Sequence, residues 1–369
     1  MKPVRYVLLG CGHRANVLHE RLKRSSSVEL VGAWDPDVQR RELFWPHPVR
    51  SWEEMIRGDV DWVLVVSPNL FHKEQIVASL EAGKHVFSEK PLATTTPDCL
   101  ALAKAARNSE QILMTGFTLR YSGLYRTVKQ LLSDGVLGRL VSIDATENLT
   151  PGHGAYIMTN WRRDYRLAGS NILEKCVHDL DLLNWFTDSL PRRVAAFGGT
   201  DVFVPQNAAL FERSPRFSDK AATKASGLNP FTAEKGIEDN LVSILEFANG
   251  VRAQFQLTSS NPIPERRMYL SGTEGTAVLD LVTGTLKCKT LYETPARVWS
   301  ENSWGDGHGG GDNVMVQELV ETMTTGKAPA TGIEEGLRST LVGIALDTAR
   351  REQTVLNLDS TWKALEAAR

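Results

Sequence analysis

The chain has 369 residues, 42% of them hydrophobic and 23% charged, and its formal net charge is −2. This length favours two domains, and the near-neutral balance gives no reason to expect a nucleic-acid partner. A strand pattern begins within a few residues of Met1, and no apolar run approaches membrane-spanning length, so we expect neither a signal peptide nor a membrane segment. The four cysteines are scattered without metal-type pairs, which favours reduced thiols and a cytoplasmic location.

The first motif is a glycine turn between an apolar run, residues 6–9, and a helix pattern over residues 14–24. Gly10 would form the turn, and Gly12 would let the backbone approach a pyrophosphate. The small Ala15 permits close packing of helix on strand. The helix N-terminus offers N–H groups to phosphates. A Gly-x-Gly pair also occurs in ordinary turns, but the strand–turn–helix context favours a dinucleotide site with these cofactor candidates: Gly10, Gly12, His13 and Arg14.

A second apolar run, residues 28–34, ends at Asp35. A carboxylate about 20 positions beyond such a glycine turn accepts hydrogen bonds from the adenosine ribose and repels a 2′-phosphate. The next residues, Pro36 and Asp37, supply no cation that would hold that phosphate. The sequence therefore predicts NAD as the cofactor.

Strand and helix patterns then alternate up to Gly116, with strands at 61–66, 84–87 and 111–116 and helices at 72–82 and 96–108. This order implies right-handed crossovers and a parallel sheet, whose ligands bind beyond the carboxyl ends of the strands. Polar residues after two of these strands are further cofactor candidates: Ser67, Asn69, His72 and Glu89.

The pattern changes after Tyr121. Helices are predicted at 124–133, 171–186, 312–325 and 332–351, and a long polar segment without periodicity covers 201–236. An alternating strand at 140–145 and six later strand-like runs, with a hairpin signal at Asn249-Gly250, indicate an antiparallel arrangement; the six runs are 194–197, 241–247, 251–258, 267–271, 276–281 and 285–290. We predict an α/β Rossmann domain with a parallel sheet over residues 1–120 and an α+β domain with an open, mostly antiparallel sheet over residues 121–369.

Several motifs stand in one order at compatible spacing: the glycine turn, Asp35, Glu89-Lys90-Pro91 and His178-Asp179-Leu180-Asp181. This order resembles the Gfo/Idh/MocA family of sugar and polyol dehydrogenases, and the resemblance covers most of the chain. Members carry a Gly-Gly-x-Leu-x-Asp-x-Gly-x-His-x-x-Asp signature. Here His178 and Asp181 match it, Glu174 replaces the first aspartate, and Cys176 replaces the later glycine. The segment from His308 to Asp312 resembles a glycine-rich loop found in part of the family.

Oxidation of a secondary alcohol needs a base for the hydroxyl proton and an acceptor for the hydride. An imidazole with a pKa of about 6.5 suits the first task, so His178 is the candidate base. Glu174 lies one helical turn before it and would orient the ring or stabilise its charged form. Lys90 would stabilise the developing alkoxide, or act as the base if its pKa were strongly depressed. Lys175 is a rival cation, and the sequence leaves open which group is the base.

The predicted substrate is a small carbohydrate. Candidates for its binding are polar and aromatic residues of the second half and its border: Tyr121, His153, Tyr156, Trp161, Arg162, Lys175, Asp181, Asp239 and His308. A metal site built from Cys176, His178 and Asp181 is an alternative, but no matching cluster elsewhere completes it, and we predict no metal.

The leading hypothesis is an NAD-dependent dehydrogenase of a sugar, glycoside or cyclic polyol. A redox-neutral glycosidase of the same family, which oxidises its substrate, eliminates the aglycone, hydrates the product and reduces it again, is the first alternative. A non-catalytic NAD-sensing regulator is the second, although a sensor needs neither Lys90 nor His178. The open sheet of the second half also predicts a homodimer or homotetramer formed through its outer face.

Overall fold

The computed structural model describes residues 2–301 and 308–368. The chain divides into two compact units. The first comprises Met1–Tyr121, Gly311–Leu341 and Thr361–Arg369, and the second comprises Ser122–Gly310 and Val342–Ser360. None of the described helices is long and apolar enough to cross a membrane.

The first unit is built on a parallel sheet. Its strands are β1 (Val4–Leu9), β2 (Val28–Trp34), β3 (Trp62–Val65), β4 (His85–Ser88) and β5 (Leu113–Thr115), and its helices up to Tyr121 are α1 (His13–Leu22), α2 (Val38–Glu42), α3 (Trp52–Arg57), α4 (His72–Glu81) and α5 (Thr96–Arg107). The strand order is β2-β1-β3-β4-β5, and every pairing is parallel. All four residues of β3 are buried, as expected where both faces of a parallel sheet are covered. The predicted Rossmann sheet is confirmed.

The second unit is built on a nine-stranded sheet. Its helices up to Gly310 are α6 (Gly123–Ser133), α7 (Pro151–Ile157), α8 (Tyr165–Ala168), α9 (Asn171–Thr187), α10 (Ala209–Arg213) and α11 (Ala221–Ser226). Its strands are β6 (Leu140–Asn148), β7 (Pro191–Gly199), β8 (Asn240–Phe247), β9 (Arg252–Thr258), β10 (Glu265–Gly272), β11 (Gly275–Asp280), β12 (Thr285–Thr290), β13 (Arg297–Ser300) and β14 (Leu356–Asn357).

The order of this sheet is β13-β12-β11-β10-β6-β9-β8-β7-β14. Among the described strands, β6 and β9 pair in parallel and the other neighbours pair antiparallel. This confirms the predicted open, mostly antiparallel sheet. The sequence patterns missed the short edge strands β13 and β14.

The chain ends in three helices, α12 (Gly311–Thr325), α13 (Ile333–Glu352) and α14 (Asp359–Ala368). Helix α12 packs in the core of the first unit, in the same cluster as Tyr6 and Leu8 of β1, through four buried side chains: Met315, Val316, Leu319 and Met323. The predicted border lies between residues 120 and 121. In the structure the first unit runs to Tyr121 and also includes residues 311–341 and 361–369, which the sequence patterns did not assign to it. The pattern of an amphipathic helix indicates a buried face but not which sheet covers it.

Helix α9 is the buried centre of the second unit and packs on β6 and β9. Every residue of α9 is buried except Lys175 and Trp185. A helix covered on all sides is normally apolar, yet α9 buries several ionisable side chains: Glu174, His178, Asp179 and Asp181. Buried charges need partners, so this helix indicates a polar site inside the second unit.

Residues 201–236, which showed no periodicity in the sequence, fold around three phenylalanines. The ring centroids of Phe203 and Phe217 lie 5.2 Å and 5.0 Å from that of Phe231. At Gly154 of α7, an added Cβ would lie 2.9 Å from the Phe203 ring and 1.8 Å from the carbonyl oxygen of Ser259. The segment is therefore held by its own aromatic cluster and packs closely against α7.

One face of the nine-stranded sheet exposes apolar side chains, three of them on the neighbouring strands β7 and β8. Phe197 of β7 is 74% exposed, and Ile244 of β8 is 60% exposed. Val242, which pairs with Phe197 in register, and Tyr269 of β10 are also exposed. Alternate residues of β8 are buried, so the core lies on the opposite face. An apolar surface on adjacent strands is typical of a protein interface.

Candidate active site

The glycine turn has the geometry that a pyrophosphate requires. Gly10 has φ of +100°, and a Cβ there would lie 2.7 Å from the backbone nitrogen of Ser67. A Cβ at Gly12 would meet no atom within 4 Å, so the space beside it is open. Gly12 caps α1 without a side-chain hydrogen bond, which leaves the first N–H groups of the helix available to an anion. These features fit a dinucleotide. In the same turn, the His13 side chain is exposed.

Asp35 lies at the end of β2 beside this turn. Its Oδ2 accepts a hydrogen bond from the Cys11 backbone N–H at 2.8 Å, and its Oδ1 accepts one from the Asp37 N–H at 2.9 Å. A carboxylate offers about four acceptor positions, so two remain for other donors. The carboxylate is therefore oriented by the backbone and suited to binding the hydroxyls of a ribose.

The turn after β3 contains three more predicted cofactor residues, Ser67, Asn69 and His72. The Ser67 hydroxyl donates to Gln75 Oε1 at 2.7 Å, and Asn69 is buried. The His72 ring lies with Nδ1 2.7 Å from the carbonyl oxygen of Pro91 and Nε2 2.8 Å from that of Ser67. Burial lowers the pKa of His72. Both of its ring nitrogens contact the backbone, so His72 links the turns after β3 and β4, and its contact with the cofactor stays a prediction.

Arg14 likewise contacts protein groups. Its Nε lies 2.8 Å from Glu89 Oε1, and its Nη1 lies 2.8 Å from Asp312 Oδ1. Burial opposes the charge of Arg14, but Glu89 and Asp312 outweigh it and raise the pKa of the guanidinium. Lys90 follows Glu89 and is partly buried. No pattern in the sequence indicated Asp312 as a partner of Arg14.

In the second unit, α9 places Glu174 and His178 one turn apart, and both side chains are buried. The His178 and His308 rings lie with their centroids 5.7 Å apart. The start of the helix is fixed by Glu238, whose Oε1 accepts a hydrogen bond from the Ile172 N–H at 2.8 Å. The structure thus brings the candidate base together with one predicted substrate residue, His308.

Glu174 forms an ion pair with Arg162, whose Nε lies 2.7 Å from Glu174 Oε1. Arg162 also donates from Nη1 to the Tyr156 hydroxyl at 2.9 Å. The guanidinium lies 4.5 Å from the centroid of the Trp161 ring and 5.4 Å from that of Tyr156. Four predicted site residues therefore form one cluster, in which the charge of Glu174 is compensated by an arginine that also contacts two aromatic side chains.

A buried charge network supports Lys175. The Lys175 ammonium lies 3.0 Å from Glu147 Oε1, and Arg266 Nη1 lies 3.2 Å from the same oxygen. Arg266 also binds both oxygens of Asp179, at 3.0 Å and 2.5 Å. Glu147 and Arg266 were not among the predicted site residues, because alternating charged residues in a strand are usually solvated. Their only signal was an arginine doublet, Arg266-Arg267, which must place one of its members inside the sheet.

His153 lies near this network. Burial and then the neighbouring Lys175 lower the pKa of His153 to about 3. The imidazole is therefore neutral at physiological pH, and it can donate or accept a hydrogen bond but does not add a positive charge. Its ring centroid is 6.1 Å from that of Tyr156. This predicted substrate residue thus belongs to the same region as Lys175 and Tyr156.

Two predicted substrate residues form hydrogen bonds with other groups of the protein. The Asp239 carboxylate accepts hydrogen bonds from the backbone N–H groups of residues 201, 202 and 203 at 2.8–3.1 Å, and so fixes the start of the 201–236 segment. Tyr121 is buried in the first unit, where its hydroxyl bonds Glu318 and lies 3.1 Å from Thr331 Oγ1. The sequence could not reveal these partners because most of them are far away along the chain.

One group of potential metal ligands occurs among the described residues: Glu147, Cys176 and Asp179, whose ligand atoms lie within 4.8 Å of one another. Lys175 and Arg266 already compensate the two carboxylates. Burial raises the pKa of the Cys176 thiol well above its usual value, so it remains protonated. This donor set does not favour a cation.

Comparison with known proteins gives the family. The family described as "Oxidoreductase family, NAD-binding Rossmann fold" matches residues 4–117, and the "GFO/IDH/MocA C-terminal domain" matches residues 125–278. The chain belongs to the Gfo/Idh/MocA oxidoreductase family. This confirms the resemblance, and with it the NAD-binding Rossmann domain at the N-terminus.

Relatives in this family act on carbohydrates, as their names state. The chain is 28% identical to 1,5-anhydro-D-fructose reductase of Ensifer adhaerens, over 85% of this chain and 94% of that protein. It is 25% identical to 2,7-anhydro-N-acetylneuraminate hydratase of Mediterraneibacter gnavus, over 78% of this chain and 70% of that protein. The structure of levoglucosan dehydrogenase with NADH and levoglucosan matches with a TM-score of 0.78 at 18% identity, over 96% and 99% of the two chains, and supports the fold.

Proposed function

We propose that this protein is an NAD-dependent dehydrogenase that oxidises a secondary hydroxyl of a sugar, glycoside or cyclic polyol. The observation that carries the proposal is a group of three ionisable side chains on α9, Glu174, Lys175 and His178. Glu174 and His178 are buried, and Lys175 is only partly buried. An interior helix does not keep such groups for packing, because each costs free energy to bury. Membership of an oxidoreductase family with an NAD-binding domain supplies the reaction type.

In this proposal NAD supplies the hydride acceptor, and the protein's own side chains handle the proton and the charge. His178 takes the hydroxyl proton as general base. Lys90 supplies a positive charge that stabilises the developing alkoxide. Glu174, paired with Arg162, keeps a negative charge one helical turn from His178 and so favours the protonated ring.

A redox-neutral reaction is the second candidate. Oxidation alone needs one base and one electrophilic group. Lys175, on the same helix as His178, adds another cation, whose ammonium lies 3.0 Å from Glu147 Oε1. Such a group suits the proton transfers of elimination and hydration. A relative named as a hydratase supports keeping this candidate.

A screen of sugars, glycosides and anhydrosugars with NAD tests both candidates, with NADH and released aglycone or hydrated product measured together. Stoichiometric NADH supports the dehydrogenase, and product without net NADH supports the redox-neutral reaction. Binding of NAD without turnover of any compound would contradict both and favour the sensing role.

The preference for NAD gives a first prediction. Because the Asp35 carboxylate repels a 2′-phosphate, NAD should raise the melting temperature more than NADP does, and Asp35→Ala should narrow the difference. Asp37→Ala is the matched control: this carboxylate caps α2 through the Gln39 N–H at 3.0 Å and is expected to leave cofactor preference unchanged. Equal stabilisation of the unsubstituted protein by NADP would contradict the assignment.

We also propose that the exposed sheet face binds a second copy of the chain, giving a homodimer or homotetramer. Phe197, Val242, Ile244 and Tyr269 would be buried there. Ile244→Asp should shift the mass measured by light scattering to that of a monomer, because it places a charge in the interface. Leu43→Asp, at an exposed apolar residue of the first unit, is the control. A monomeric unsubstituted protein at micromolar concentration would contradict the proposal.

A further inference from the structure

Lys90 lies in a segment whose two flanking residues are held by other parts of the first unit. The segment, Glu89-Lys90-Pro91, follows β4. The carboxylate of Glu89 bonds Arg14 on α1, and the carbonyl oxygen of Pro91 contacts His72 on α4. The backbone of Lys90 is therefore held in place on both sides.

The contact on the Glu89 side is a buried ion-pair chain. Arg14 joins Glu89 Oε1 and Asp312 Oδ1, each at 2.8 Å, and the three side chains are 19%, 7% and 3% exposed. A cation in the first turn of a helix faces the positive end of the helix dipole. Arg14 is thus unfavourable for α1 itself, and its position is explained by the two carboxylates that it joins.

A glycine leaves the space that Glu89 occupies. A Cβ at Gly116 would lie 3.1 Å from Glu89 Oε1 and 3.1 Å from the Phe87 ring, so a larger residue at this position would press on the carboxylate. Glu89 Oε2 lies 3.4 Å from the backbone nitrogen of Lys90. The carboxylate therefore contacts Arg14 on one side and the start of the lysine's own backbone on the other.

The contact on the Pro91 side links two strand ends. His72 is 1% exposed, and its ring lies between the carbonyl oxygens of Pro91 after β4 and Ser67 after β3, at 2.7 Å and 2.8 Å. A ring in this position sets the distance between the two turns. Without it, the Pro91 carbonyl would lose its side-chain partner.

We infer that Arg14 and His72 are positioning residues for Lys90: they hold the Glu89-Lys90-Pro91 segment from both sides, so that the ammonium is delivered at a fixed place. The inference rests on the proposed function, in which Lys90 acts on the substrate oxygen. A displacement of about 1 Å at a reacting group can cost on the order of 100-fold in rate, so a fixed backbone matters here.

Kinetics of Arg14→Met, Arg14→Lys and His72→Asn test the inference. We expect Arg14→Met and His72→Asn to lower kcat by about 10- to 100-fold, with little change in the dissociation constant of NAD measured by titration. Arg14→Lys should recover part of the lost kcat, because lysine keeps the positive charge but cannot contact Glu89 and Asp312 through two separate nitrogens. In NAD-saturated protein, acylation of Lys90 followed by peptide mass spectrometry should proceed faster in Arg14→Met than in the unsubstituted protein.

Two matched variants separate positioning from general stability. Arg21 joins the same two helices as Arg14, donating from Nε to Asn313 Oδ1 at 2.8 Å, but does not touch Glu89. His85 lies at the opposite end of β4, where its Nδ1 accepts from the Ile112 N–H. Arg21→Met and His85→Gln should leave kcat and Lys90 acylation unchanged.

Equal losses in Arg21→Met and Arg14→Met would overturn the inference, as would NAD affinity that falls in step with kcat. If no sugar or glycoside is turned over by the unsubstituted protein, the proposed function fails. The acylation rates still decide the inference in that case, because unchanged Lys90 reactivity in Arg14→Met would overturn it without any measurement of turnover.

Discussion

Replacing His178 by alanine should lower kcat by about 100-fold or more, the usual scale for a lost general base. The ring is 4% exposed in the second unit, whereas the glycine turn and Asp35 belong to the first unit. NAD affinity should therefore change little. Steady-state kinetics with separately titrated NAD make the measurement. Near-normal turnover would move the base role to Lys90 or Lys175.

Lys90→Met should cause a loss of similar size, about 100-fold in kcat, because the alkoxide loses its cation. Lys84→Met is the matched control. Lys84 stands at the other end of the same strand, where its ammonium bonds the Gly58 carbonyl oxygen at 3.1 Å. Normal turnover in both His178→Ala and Lys90→Met would remove the proposed centre altogether.

Glu174→Gln should have a smaller effect and shift the pH profile of kcat, because it removes a charge but keeps the shape. The substitution removes a negative charge one helical turn from His178 and leaves the charge of Arg162 without its carboxylate, which disfavours a protonated imidazole. The acid limb of the profile should thus move to lower pH. His153→Gln should keep the acid limb where it is, since the pKa of His153 is already lowered to about 3 and the ring does not titrate there.

The Rossmann half was predictable because its signals are local. Each strand is an apolar run of a few residues, and the glycine turn and Asp35 lie within 25 positions of each other. The antiparallel sheet was predictable for the same reason, through alternation and the Asn249-Gly250 turn. The short strands β13 and β14 carry too few residues for any period to show.

The site was predictable only in its residue types. Arg162 and Glu174 were both candidates, but nothing in the sequence paired them. The charges that support Lys175 come from β6 and β10, at Glu147 and Arg266, more than 100 positions apart. Asp239 shows the same limit. A lone carboxylate in a polar stretch suggests a substrate contact, but no pattern in the sequence indicates the three backbone N–H groups from which it accepts hydrogen bonds in the structure.

The buried network gives the largest expected effect on stability. Arg266 is 5% exposed and is shared by Glu147 and Asp179, which are 4% and 1% exposed. Arg266→Met would leave Asp179 buried without its partner and Glu147 with Lys175 alone. Removing one member of a buried ion pair typically costs about 3–5 kcal/mol. We expect a loss of this size in the free energy of unfolding, measured with urea, together with faster hydrogen exchange in α9 and β10.

The neighbouring arginine provides the control. Arg267 points to the other face of β10 and pairs with Asp144 at 3.0 Å, and the two side chains are 30% and 43% exposed. Exposed ion pairs contribute about 0–1 kcal/mol to stability, so Arg267→Met should change the free energy of unfolding very little. The double variant Arg266→Met/Asp179→Asn should recover part of the loss, because one uncompensated charge is removed. Equal effects of the two single arginine variants would contradict the assigned role of the network.

The decrease in the free energy of unfolding caused by Arg266→Met should also depend on pH, and the pKa of Asp179 determines in which direction. Burial raises the pKa of Asp179 to about 6 even though Arg266 opposes the shift, and without Arg266 it would rise further. A carboxyl group whose folded pKa lies above its unfolded value binds protons on folding, so its unfavourable effect grows as pH rises from about 4 through the folded pKa. Arg266→Met should therefore be less destabilised at pH 5 than at pH 8, relative to the unsubstituted protein. A loss that is the same at both pH values would mean that the buried carboxylates are not the cause, and would reduce Arg266 to a packing residue of β10.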